Sequence, residues 1–82
     1  ATSYSSNCSD GLCTVSLTGA GAEAELLDGD VVVELDGADG TSADLRVNDE
    51  SGSCTAGEEL ALGGLSVTCT EVGDDRLTVE LR

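Results

Sequence analysis

The chain has 82 residues, with seventeen acidic side chains against three basic ones and a formal net charge of -14, and it contains neither histidine nor lysine. The missing histidine removes the ordinary proton shuttle near pH 7, and the missing lysine removes Schiff-base and lysine-base chemistry. A charge of this sign repels nucleic acid and other phosphate-bearing partners. No apolar run approaches the roughly twenty residues of a membrane-spanning helix, so no membrane insertion is expected.

The length corresponds to one domain, residues 1–82. Phe, Trp and Met are absent and Tyr4 is the only aromatic, so the core falls to Leu, Val and Ala. Taken in order, residues 1–7 (ATSYSSN) are small and polar and read as a flexible N-terminal tail. From there the chain alternates. Cys13, Val15 and Leu17 recur at period two, as do Val31, Val33 and Leu35, then Ala43, Leu45 and Val47. Leu65, Val67 and Cys69 follow the same rule, and so do Leu77, Val79 and Leu81. Period two with branched residues and threonines predicts strands. The segment Ala22–Leu27 alternates Glu with Ala and could form a helical turn, but the glycines close before it favour a short strand, and Glu58–Leu62 reads in the same way. Residues 48–57 (NDESGSCTAG) read as the longest loop.

These signals predict an all-β fold, a small antiparallel β-sandwich or barrel of six to seven short strands. Residues 29–47 (GDVVVELDGADGTSADLRV) align without a gap on residues 63–81 (GGLSVTCTEVGDDRLTVEL). In that alignment Glu25-Leu26 falls on Glu59-Leu60. The match has two readings: a duplicated hairpin unit, or the alternation that any two amphipathic hairpins share. Both give the same architecture.

A thin core in a short chain calls for a covalent staple. Cys8, Cys13, Cys54 and Cys69 are even in number and fit no zinc spacing, so two disulfides are expected. The pairing stays open: Cys8–Cys13 with Cys54–Cys69 is one arrangement, and a Cys13–Cys69 bridge between inward-facing strand positions is its rival. Disulfides imply an oxidising compartment, so a secreted protein with its signal peptide already removed is expected. The Ala, Gly, Asp, Leu and Val bias, with Arg as the sole base, points to a GC-rich bacterial genome.

Residues 8–17, CSDGLCTVSL, set two cysteines before an alternating strand. This segment resembles the small-disulfide hairpin of the secreted actinobacterial enediyne-binding apoproteins of the neocarzinostatin type, which are acidic two-disulfide β-sandwiches. The resemblance covers those residues alone, and no binding residue is carried over from it.

No nucleophile has a base to activate it, because no Ser-His or Ser-Lys pair exists; the expectation is a protein that is not an enzyme and has no catalytic residues. The acids offer a different chemistry. Hard cations take clusters of loop oxygens, and Asp36, Asp39, Asp74 and Asp75 lie at or near predicted hairpin tips, which makes them the candidate calcium ligands. Asp-Gly pairs also form tight turns without any metal. The loop Ser9-Asp10-Gly11-Leu12 between the first two cysteines is the candidate binding loop. The expected function is a non-catalytic adaptor or accessory subunit that engages a protein partner, one with a basic surface, through a sheet edge, a loop or the N-terminal tail. The alternatives are a small-ligand carrier, a small inhibitor of a secreted enzyme, and a calcium-dependent surface module.

Overall fold

Positive backbone angles at Asp10 (φ 53°) and Gly11 (φ 80°) reverse the chain over two residues, the geometry of a primed hairpin turn. In the computed structural model, which describes residues 2–82, this turn joins β1 (Ser3–Ser9) to β2 (Leu12–Thr18). Next comes β3 (Glu23–Leu26), which passes through a tight turn at Leu27–Gly29 into β4 (Val31–Ala38) and then β5 (Ser42–Val47). A second two-residue turn, at Asn48 (φ 49°) and Asp49 (φ 71°), leads into β6 (Glu50–Thr55). The described chain ends with β7 (Glu59–Leu62), β8 (Leu65–Gly73) and β9 (Arg76–Leu81).

The strands form two antiparallel sheets, ordered β1-β2-β9-β8-β7 and β3-β4-β5-β6. Their facing sides bury Val15, Leu17, Val33, Leu35, Leu45, Val67, Leu77 and Val79 together with smaller neighbours, and no polar side chain is buried among the described residues. Each Leu or Val removed from water in this way is worth about 1.5–3 kcal/mol. The alternation read from the sequence places these residues correctly. Of the inward positions it names, only Leu65 is half-buried rather than buried.

The disulfides are Cys8–Cys13 and Cys54–Cys69. The first ties neighbouring strands at directly opposed positions of β1 and β2. The second crosses the core, from β6 in one sheet to β8 in the other.

Among the described residues the strand number is nine, not six to seven. The two added strands are β1 and β6. Residues 3–7, expected in a tail, lie in β1, and Ala1 lies outside the described residues. The expected loop 48–57 contains β6. Both strands border a sheet. β1 has no buried side chain, and the inner face of β6 carries Gly52 beside Cys54, so neither shows an apolar period of two.

The hairpins β4-β5 and β8-β9 are built on one register. Val33 opposes Val47 and Leu35 opposes Leu45, while thirty-four residues on Val67 opposes Leu81 and Cys69 opposes Val79. Each hairpin has a bulge at the equivalent place, between Leu35 and Gly37 and between Cys69 and Glu71. The preceding strand repeats its hydrogen bonds as well. Leu35 N–H donates to Ala22 O (2.8 Å) as Cys69 N–H donates to Glu58 O (2.9 Å). Gly21 N–H donates to Leu35 O (2.7 Å) as Gly57 N–H donates to Cys69 O (2.6 Å). These bonds make Leu26 the counterpart of Leu62, not of Leu60 as the ungapped alignment has it. The turn between β3 and β4 is two residues longer than Gly63-Gly64, and the loop absorbs the difference.

Connectivity ties the two halves together. β2 precedes the β3-β4-β5 group in sequence but pairs with β9. β6 precedes β7-β8-β9 but pairs with β5. Each half thus lends its first strand to the other half's sheet. Set on this frame, Thr14-Val15-Ser16-Leu17-Thr18 of β2 matches Ser51-Gly52-Ser53-Cys54-Thr55 of β6, because Val15 opposes Val79 as Gly52 opposes Leu45. β1 has no counterpart and lies outside the correspondence.

Candidate functional site

The main-chain groups of a strand point alternately to its two sides. Where a two-residue turn closes a hairpin, the residues flanking the turn exchange both hydrogen bonds, and this fixes the phase of all the rest. Ser9 and Leu12 flank Asp10-Gly11, so Ser3, Ser5, Asn7 and Ser9 bond to β2, and Tyr4, Ser6 and Cys8 aim their N–H and C=O groups away from it. The disulfide fits this phase, since Cys8 faces Cys13 at a position without mutual hydrogen bonds.

Four strands border the sheets: β1 and β7 in one, β3 and β6 in the other. β3 and β7 are four residues long and carry Glu23, Glu25 and Glu59. Short length and charge are the ordinary protection against unwanted strand pairing. β1 has neither. Its seven residues, SYSSNCS, contain no charge and no proline, and they pair with β2 without a bulge. Tyr4, on this strand, is the exposed large hydrophobic side chain of the protein among the described residues, at 59%.

Beside β1 lies the candidate binding loop. Ser9, Asp10 and Gly11, with the Cys8–Cys13 bridge, form one wall of a cleft of about 280 Å³ at the end of the sandwich. Leu26, Val31, Leu65 and Leu81 give it an apolar floor. Leu12 does not line it; this half-buried residue opposes Ser9 across the turn.

The four candidate metal ligands separate into local roles. Asp39 Oδ1 accepts from Thr41 N–H (3.0 Å) and Ser42 N–H (2.9 Å), closing the tip of the β4-β5 hairpin. The amides of Ser42 and Thr41 hold the Asp39 carboxyl below its ordinary value. Asp36 sits at the β4 bulge, 4.0 Å from Arg46, which also lies 3.7 Å from Glu34. Asp74 and Asp75 form the β8-β9 turn. The two hairpin tips meet: Asp39 and Asp74 are bridge partners, and Gly40 N–H donates to Gly73 O at 3.2 Å. Among the described residues no three carboxylates or thiols come together at metal-binding distance.

Sequence reasoning did not single out the free sides of β1 and β6. The available signal was the two-residue turn chemistry of Asp10-Gly11 and Asn48-Asp49, each of which marks a hairpin and so a strand on either side. No helix among the described residues is long and apolar enough to cross a membrane. Comparison with known proteins gives no match among family models, curated proteins or solved structures.

Proposed function

We propose that this protein is a secreted, non-catalytic adaptor that takes up an extended segment of a partner protein along the outer side of β1. The observation that carries the reading is the unguarded edge. Seven uncharged residues present the outward N–H and C=O groups of Tyr4, Ser6 and Cys8, and the ordinary forms of edge protection, brevity and charge, are absent there. Main-chain pairing supplies affinity in such complexes, and alternate side-chain contacts supply selectivity. Tyr4 is the anchor on this reading, since an exposed tyrosine buries a large area at little conformational cost. The Cys8–Cys13 bridge clips the strand in place, which limits the ordering needed on binding. Two disulfides in a domain this small accord with an oxidising compartment.

The test is a pull-down from the secreted proteins of the producing organism with the oxidised domain and with Ser6→Pro. Proline at this position removes one outward N–H and no bond to β2. A stoichiometric partner that is lost with Ser6→Pro and weakened by Tyr4→Ser supports the proposal. A partner held equally by wild type and Ser6→Pro sinks it.

A second reading, a small-molecule carrier, has the apolar end cleft in its favour. It expects an apolar compound to co-purify with the native protein, seen by native mass spectrometry, and to be lost on Leu65→Glu. A protein that is ligand-free by that measurement removes this reading.

A further inference from the structure

The exchange of first strands between the halves makes β2 and β6 equivalent, yet only β2 is covered. Thr14, Ser16 and Thr18 of β2 turn their main-chain groups toward β1, where Asn7, Ser5 and Ser3 meet them. Their counterparts in β6 are Ser51, Ser53 and Thr55. The Asn48-Asp49 turn fixes the same phase independently: Val47 and Glu50 flank it and bond each other, so Ser51 and Ser53 point their N–H and C=O groups away from β5. At Thr55 the outward direction is visible directly, because its N–H is capped by Glu58 Oε1 at 3.0 Å. Among the described residues no strand pairs with this side of β6.

From this equivalence we infer that β6 is a second acceptor edge, and that its occupant is an extended, antiparallel segment of a partner protein with basic residues at alternate positions. The charge pattern selects the occupant. Ser51, Gly52 and Ser53 border a shallow depression of about 360 Å³ on the outer face, whose far wall is Asp36, Asp44 and Arg46. Asp36 is engaged by Arg46, whereas Asp44 lies directly across from Ser53 and has no cation within 4.0 Å among the described residues. A basic side chain on an added strand passes over the small Ser53 and reaches Asp44, since neighbouring strands lie about 4.8 Å apart. Asp49, Glu50 and Glu58 surround the ends of β6 with further negative charge. A second copy of this chain would bring the same charges to the same edge, so like-charge repulsion disfavours self-pairing and a basic segment is favoured.

The inference does not rest on the β1 reading, and separate variants keep the two apart. The probe is a capped octapeptide of alternating arginine and threonine, titrated into ¹⁵N-labelled protein. The expected result is saturable binding with the largest amide shifts at Ser51 and Ser53 and slowed exchange of both protons. Ser53→Pro weakens binding by about tenfold, as the loss of one or two hydrogen bonds implies. Asp44→Asn weakens it several-fold, and Ser6→Pro leaves it unchanged. A peptide N-methylated at alternate residues keeps the charge and loses the ladder, so it binds poorly, and this control does not depend on any variant folding. Equal binding of the N-methylated peptide, shifts spread evenly over the acidic faces, shifts centred on β1, or no saturable binding each overturns the inference.

Discussion

The two halves of the sandwich share a hydrogen-bond frame but close it differently. In one half the frame holds Leu17 and Leu35, both buried. At the equivalent positions of the other half stand Cys54 and Cys69, joined through the core. Register, bulges and bridging bonds recur while the side chains at this key pair do not. The backbone ladder thus specifies where a cross-sheet link belongs, and either apolar packing or a covalent bond can make it. A small domain without aromatic core residues gains from using both.

The sharpest way to break this comparison is Leu35→Ala, which opens a cavity in the non-covalent half. The expected loss is about 3–5 kcal/mol by urea denaturation. Removing the covalent link with Cys54→Ala plus Cys69→Ala frees a loop of sequence separation 15 and is expected to cost about 3 kcal/mol. Removing Cys8 and Cys13 in the same way frees a shorter loop, of sequence separation 5, and should cost less, about 2 kcal/mol. If the rim bridge proves the costlier of the two, the equivalence of the core bridge with Leu17 and Leu35 is wrong.

The turns that differ between the halves give a finer probe. Gly63 has φ +61°, and a Cβ there would lie 2.8 Å from Val47 Cγ1 and 2.9 Å from Val47 O, while a Cβ on Gly64 meets nothing within 4 Å. Gly63→Ala is expected to cost about 2–3 kcal/mol and Gly64→Ala about 1 kcal/mol, the second being left-handed strain alone. Similar melting temperatures for the two variants would mean that Val47 yields freely.

The smallest effect concerns the hairpin tips. Asp39 closes the first tip, and its counterpart on the shared register is Gly73, which has no side chain to do so. The folded pKa of Asp39 lies below the ordinary 3.8. Its contribution is therefore complete above the ordinary value and is lost as pH falls through the folded one. Asp39→Ala should flatten the acid limb of the stability profile below about pH 4, whereas Gly73→Ala should leave the shape of that limb unchanged. An acid limb identical to wild type would show that the carboxylate caps the turn without gain.

Sequence alone reached the inward face of five strands, because each of those strands carries apolar residues at every second position, and it located β3 and β7 from a weaker alternation. It did not reach β1 and β6. All seven β1 side chains are exposed, Tyr4, Ser6 and Cys8 included, even though these three share a face with Leu17, Val15 and Cys13. In β6, Gly52 occupies an inward position because Leu62 and Leu60 fill the space, a Cβ there coming within 3.1 Å of Leu62 Cδ2. Neither strand has an apolar signal to read. The disulfide pairing was open for a related reason: Cys13 and Cys69 both face inward, and only the strand order shows that Cys54 and not Cys13 stands across from Cys69. The candidate acids were legible as turn residues, and most of them act as such.

Tyr4 stands outside the packed interior on an edge strand, and the chain has no tryptophan. Its intrinsic fluorescence therefore comes from the rim rather than the core. Denaturation should pass almost unseen in that signal, while an event at the β1 edge should change it without any label. The protein carries its own optical reporter for docking and none for melting.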